Sequence, residues 1–273
     1  MPAQVIQSNT TPFQSITVDP VTLDIIENAL RNARSEMDAV LFRTAMSPGI
    51  REQHDAFPMI ANHEGKMVVG QFGSFFWGFQ QGYDGTIEEG DVFLTNDPYS
   101  CNGAVSHLND WLMMMPIYID GRLVAWAAMF GHMTDIGGKV PGSLPTDAAQ
   151  VFEEGIQVPP VKIIRNGELN TEILELILRN CRLPDWNRSD FNALVAALRL
   201  AERRVLEMAN RFGVDELVVA MVEMLDRNKR AMGAILNMVI PEKKQHFEDY
   251  IDDDGMGMGP YKVSCTMWRG GEK

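Results

Sequence analysis

The stretch His107-Leu-Asn-Asp110-Trp-Leu-Met-Met-Met-Pro-Ile-Tyr-Ile-Asp120-Gly121-Arg-Leu-Val-Ala-Trp-Ala-Ala-Met-Phe-Gly131-His132-Met-Thr-Asp135 decides how this chain is read. Two apolar, β-prone runs, Trp111 to Ile119 and Arg122 to Phe130, are joined by Asp120-Gly121. That dipeptide favours a two-residue type I′ turn, because both of its positions need positive φ. A β-hairpin follows, with a His-x-x-Asp pattern at each of its free ends. If Ile119 pairs with Arg122, His132 falls across from Asn109, a near neighbour of His107 and Asp110. Pro116 cannot donate to a ladder, so it signals an edge strand or a bulge, and a bulge moves the register by one. Residues three apart in a strand face opposite sides, so Ser106 to Asp110 is expected to form a helical turn, in which i and i+3 share a face.

Two histidines and one carboxylate are the set that holds Fe(II) or Mn(II) with open positions, and three-ligand zinc sites also leave one position for water. His107, Asp110 and His132 are therefore the candidate metal ligands. Asp135 is the candidate general base or orienter beside them. The competing reading is that both histidines only pack against apolar neighbours. Asn96-Asp97-Pro98-Tyr99 follows an expected strand, and Asp97 is a second candidate catalytic residue, unless the dipeptide simply makes an Asx-turn. Gly137-Gly138-Lys139-Val-Pro-Gly142-Ser143 has the composition of an anion-cradling loop, although turn chemistry alone accounts for it. Glu153-Glu154 either adds a carboxylate or is a solvated loop.

Fourteen of the 23 glycines lie between Gly65 and Gly155, which marks a loop-rich, site-bearing β region over residues 50–165. It is flanked by helices. Asp19-Pro20 opens a long one as N-cap and first residue, with an expected buried stripe of Val21, Ile25, Ala29, Ala33, Met37, Leu41 and Ala45. Residues 170–240 read as helical: a short element from Thr171 to Cys181 ended by Pro184, a second capped by Ser189, and a third from Asp215 to Pro241, the last two forming a hairpin with Met-rich faces. Tyr261 to Trp268 alternates like a strand with no partner in sight, which suggests a chain incomplete at its C-terminus. The expected organisation is a flexible leader over residues 1–18 and one α+β domain over 19–273, its Gly-rich mixed β region carrying the site.

At 273 residues and 45% hydrophobic content the chain can bury a sizeable core. A net charge of −13 opposes binding to phosphate backbones, so nucleic acid is not an expected partner. The three cysteines are isolated and odd in number, as suits reduced thiols in a cytoplasmic protein. No apolar run approaches the roughly 18 residues of a membrane span. Neither a P-loop nor a Gly-x-Ser-x-Gly elbow occurs, so ATP, if used, binds elsewhere.

Five segments in order, Gly90 to Tyr99, His107 to Asp110, Gly131 to Gly138, Pro141 to Ser143 and Glu154 to Lys162, resemble the hydantoinase B/oxoprolinase family from about Asp19 onward. That resemblance implies a division of labour. A hydantoinase A-like subunit uses ATP to phosphorylate a carbonyl-derived oxygen, and the B-like part completes ring opening of a cyclic amide, or, in the ketone carboxylase branch, carboxylation. Its acetone carboxylase branch also implies a manganese site, whose ligands would be His107, Asp110 and His132 here; Mn or Zn is the expected ion of this chain, with Fe as a further option. A hetero-oligomer acting on a small molecule is the expected assembly, either an oxoprolinase- or N-methylhydantoinase-type hydrolase or an acetone- or acetophenone-carboxylase-type enzyme. The remaining alternative is a catalytically silent structural subunit.

Overall fold

The computed structural model describes residues 16–71 and 75–270; residues 1–15 of the expected leader lie outside that range. Helix α1 (Pro20–Thr44) begins as its sequence dictates, with Asp19 accepting from the Thr22 amide at 3.0 Å. Its buried face is Leu23, Ile26, Leu30, Ala33, Met37 and Leu41, so the expected stripe holds only from Ala33 onward. Val21 and Ile25 are exposed. A strict i+4 series advances about 40° per step around a helix of 3.6 residues per turn, and the real face corrects that drift by mixing steps of three and four.

After the short α2 (Pro48–Arg51) come β1 (Ala56–Asn62), β2 (Met67–Val69), α3 (Phe76–Gly82), β3 (Val92–Thr95), β4 (Asp110–Ile119), β5 (Arg122–His132), β6 (Val161–Arg165) and β7 (Glu168–Leu169). They form one seven-stranded sheet ordered β2-β1-β5-β4-β3-β6-β7. The α+β class holds; the sheet is antiparallel at every pairing rather than mixed. Asp120 and Gly121 sit at φ 51° and 73°, the turn that the dipeptide favours. Ile119 pairs with Arg122, but a bulge at Val124 moves the register, so that His132 faces Asp110 instead of Asn109. Pro116 is accommodated inside the sheet because β3 pairs with β4 only from Leu112 to Met114.

Both faces of the central hairpin are covered, which explains its nearly unbroken apolar sequence. Trp111, Met113, Met115 and Ile117 join the core formed with the helices, while Leu112, Met114 and Trp126 meet Phe75, Phe76 and Phe79 on the other face.

Helix α4 (Thr171–Arg179) is capped by Asn170, and α5 (Pro184–Phe212) starts at Pro184, not at Ser189. Pro184 opens a helix instead of closing one, since its missing N–H falls where no partner exists. Phe191, Leu194, Leu198, Ala201, Val205 and Met208 are buried as expected. Gly213, at φ 93°, separates α5 from α6 (Val214–Val239). Met221 and Met224 are core residues, whereas Met232 and Met238 are exposed on the outer half of α6. Tyr261 to Met267 is a strand, β9, but it has a partner: β8 (Gln245–Ile251) precedes it and pairs along its whole length in a separate ribbon. The Gln-His-Phe-Glu-Asp-Tyr-Ile sequence of β8 is too polar to announce itself. No helix of the described residues is long and apolar enough to cross a membrane.

Candidate metal centre

The open end of the β4–β5 hairpin gathers the candidate ligands. The segment before β4 makes a turn in which the Asp110 amide donates to the His107 carbonyl at 3.3 Å, so His107 and Asp110 share a side as the spacing predicts. His107 Nε2 lies 3.2 Å from Asp110 Oδ1, His132 Nδ1 lies 3.1 Å from the same oxygen, and the two ring nitrogens are 3.2 Å apart. Two ligands each about 2.1 Å from one ion stand about 3.0 Å apart in an octahedron and about 3.4 Å in a tetrahedron. The observed spacings fall in that interval. The donor set therefore fits a divalent ion.

Sheet order adds a residue that sequence reasoning missed. Strand β1 lies on the other side of β5, with Ala56 opposite Gly131. The His132 amide donates to the Asp55 carbonyl at 3.1 Å, and Asp55 Oδ2 comes within 3.6 Å of His132 Nδ1. Asp55, just before β1, thus lines up with His132 and Asp110 at the ends of three neighbouring strands. Asp55 is 52 positions or more from the candidate ligands, so no local spacing links it to them.

Electrostatics follow from this packing. The hydrogen bond that His107 donates to Asp110 holds the imidazole above its ordinary pKa against the opposing effect of burial, and the charges of Asp110, Asp55 and Glu154 add to it. Burial pushes the Asp110 carboxyl up, but hydrogen bonds from His107 and His132 together outweigh it and leave the group below its usual range. Among the described residues the ion-pair partners of Asp110 are these two histidines. With Asp55 and Glu154 nearby, the pocket carries excess negative charge that a dication would balance.

The residues between the candidate ligands hold the frame. Leu108 is fully buried and its carbonyl accepts from Asn96 Nδ2 at 2.7 Å. Asn109 Nδ2 donates to the Met133 carbonyl at 2.9 Å while the Met133 amide donates to the Asn109 carbonyl at 2.8 Å. Ser106 Oγ sits 2.9 Å from His107 Nδ1 and orients the ring.

Asp97 and Asp135 are engaged elsewhere. Asp97 accepts from the Tyr99 amide at 2.9 Å, from Gln157 Nε2 at 2.7 Å and from Ser100 Oγ, so its dipeptide makes the Asx-turn that was the competing reading. Asp135 accepts from the Gly137 and Gly142 amides at 2.9 Å each and from Arg182 Nη1 at 3.1 Å. The glycine loop does cradle an anion, and that anion is the protein's own Asp135. Arg182 Nη1 also donates to the Gly137 and Val140 carbonyls at 2.9 and 3.0 Å, which locks the loop. His54 stacks on Phe42, and His246 lies on the exposed ribbon beside Thr266 and Glu248.

Burial raises the Asp135 carboxyl, but donors from Gly142, Gly137 and Arg182 outweigh it and hold its pKa below the ordinary value. Such a group adds stability above the unfolded pKa of about 3.9 and loses it as pH falls through the folded value. Asp135→Asn is therefore expected to destabilise the chain at pH 7 by about 1–3 kcal/mol, and the deficit should shrink toward pH 3. Urea unfolding at both pH values checks this; an equal deficit at both would contradict it.

The family model described as hydantoinase B/oxoprolinase matches residues 19–272. The chain is 33% identical over 260 residues to the caprolactamase subunit beta of Pseudomonas jessenii, covering 92% of this chain and 44% of that one. It is 27% identical over 223 residues to the acetophenone carboxylase delta subunit of Aromatoleum aromaticum, covering 78% and 32% respectively. The crystal structure of the ATP-dependent caprolactamase from Pseudomonas jessenii superimposes with a TM-score of 0.83 at 30% identity, over 93% of this chain and 45% of that one. The chain thus spans less than half the length of these relatives. A family match over nearly all its residues, on a fold shared with a solved relative, places this chain in the hydantoinase B/oxoprolinase family.

Proposed function

We propose that this chain is the hydantoinase B-like component of an ATP-dependent cyclic-amide hydrolase, working on a carbonyl activated by a hydantoinase A-like partner that binds the ATP. The convergence of His107, Asp110 and His132 at the end of one hairpin carries the reading. These three side chains, with Asp55 beside them, would hold one divalent ion, Mn or Zn. Such an ion polarises a carbonyl or lowers the pKa of water, which is what ring opening requires. Asp110 contributes the charge that retains the ion, and Ser106 keeps His107 turned toward it. Asp135 and Asp97 act as positioning residues here, one through the Gly137–Gly142 loop and the other through the turn before His107, instead of carrying protons. The amide-hydrolase branch is favoured over the carboxylase branch by the higher identity to a caprolactamase subunit than to an acetophenone carboxylase subunit.

The test is reconstitution with the hydantoinase A-like partner on caprolactam, 5-oxoproline, N-methylhydantoin and, with bicarbonate, acetone or acetophenone. Ring opening coupled to ATP hydrolysis is expected, and the chain alone should show no ATP binding by calorimetry because it lacks a phosphate-cradling motif. Bicarbonate-dependent ketone carboxylation without lactam hydrolysis would overturn the assignment.

A further inference from the structure

The first turns of α5 bury polar side chains where apolar ones would serve packing better. Asn187 and Asp190 are both fully buried, as is Ser47, whose amide reaches Asp190. Burying such groups is unfavourable unless every one finds a partner, so their partners reveal what they are for. Asp190 accepts from the Ser47 amide at 3.2 Å and from the Met46 amide. Ser47 Oγ in turn accepts from the Thr134 amide at 3.0 Å. Asn187 Nδ2 donates to the Asp135 carbonyl at 2.7 Å. Thr134 and Asp135 directly follow Met133, so both chains of contacts end within three residues of His132.

The same clamp closes on the imidazole from the front. Ser47 precedes α2, and a Cβ on Gly49 in that helix would meet His132 Cδ2 and the His132 carbonyl at 3.4 Å each. A shift of Ser47 therefore moves the wall against which the His132 ring rests. Asp55, which follows α2, also takes the His132 amide. His132 is fixed by α2 on one side and by the segment leaving β5 on the other, and α5 joins the two through Asp190, Ser47 and Asn187.

We infer that Ser47, Asn187 and Asp190 are positioning residues of the metal centre, which set the orientation of His132 and thereby the affinity for a divalent ion. The inference rests on the proposed metal reading and extends it to groups that touch neither ion nor substrate. Outer partners of metal-ligating histidines typically change affinity 10- to 100-fold when removed. A role in packing alone would lower stability without changing the affinity of the molecules that remain folded.

The experiment is a titration of purified, metal-stripped chain with cobalt(II), followed by visible absorption, for the wild type, Ser47→Ala, Asn187→Ala and Leu198→Ala. Leu198 is a core residue of the same helix with no polar link to the site, so it supplies a variant destabilised by packing alone. Wild type and Leu198→Ala should bind one cobalt with dissociation constants within about twofold, and Ser47→Ala and Asn187→Ala should bind at least about tenfold more weakly with an altered spectrum. Ser47→Ala removes a single oxygen, so it keeps the comparison available if Asn187→Ala does not accumulate in folded form. Wild-type affinity and spectrum in both polar variants would overturn the positioning role while leaving the metal site intact. No cobalt uptake by the wild type would overturn both.

Discussion

Asp110→Ala in the reconstituted enzyme is expected to reduce turnover by about 10³-fold or more. Polarisation by a bound ion supplies several kcal/mol of transition-state stabilisation, and each 1.36 kcal/mol is a factor of ten. Asp110 is the residue whose loss should remove most, because both histidines point at its Oδ1 and its charge is what would retain the proposed ion. Alanine there leaves two imidazoles facing each other with no shared acceptor. If the histidines merely packed, the same substitution would change stability by the usual 0.5–3 kcal/mol or so and leave turnover per folded molecule unchanged. Steady-state rates normalised to the folded fraction separate the two.

Gly78→Ala gives the second large effect, and its sign opposes what helix propensity suggests. Alanine in the interior of an exposed helix gains up to about 1 kcal/mol over glycine. Here an added Cβ at Gly78 would lie 1.9 Å from the Cys101 carbonyl oxygen and 3.0 Å from its carbon. Backbone cannot yield as a side-chain tip does, so α3 must part from the turn that leads to His107. A loss of about 3 kcal/mol or more is expected, at the upper end of overpacking effects. Gly103→Ala is the control within that same turn: at φ 77° with nothing within 4 Å, it should lose only about 1 kcal/mol of backbone strain. Urea midpoints for the two variants test this, and equal losses would contradict it.

What the sequence disclosed, and what it did not, divides along the locality of the interactions. The hairpin was legible because Asp120-Gly121 sets its turn and the flanking runs set its strands. His107, Asp110 and His132 were legible as a cluster because that one hairpin joins them. The direct pairing of His132 with Asp110 was legible only as an alternative: Pro116 allowed for a bulge and a one-residue shift, but no residue type fixes that bulge at Val124 on the facing strand. Asp55 was hidden because only the placement of β1 beside β5 brings it near. Asp135 was read as a base or an orienter and Asp97 as a catalytic residue or an Asx-turn; type and spacing could not choose between these roles, and the short backbone donors that engage both lie in their own loops, the ordinary behaviour of Asp in Gly-rich turns. Helix α3 was missed because Gly78 and Gly82 read as loop residues; they are glycines so that Cys101 and Ser100 can approach closely. Likewise Pro184 looked like a terminator until its place at the start of α5 was seen.

Metal content tests the central claim most directly. Elemental analysis of purified chain, reconstituted with Mn(II) or Zn(II) and desalted, should give one ion per chain in the wild type. His107→Ala, Asp110→Ala and His132→Ala should each lose that stoichiometric ion, while His246→Ala retains it. Equal metal content in the wild type and the three site variants, or none in any of them, would contradict the account.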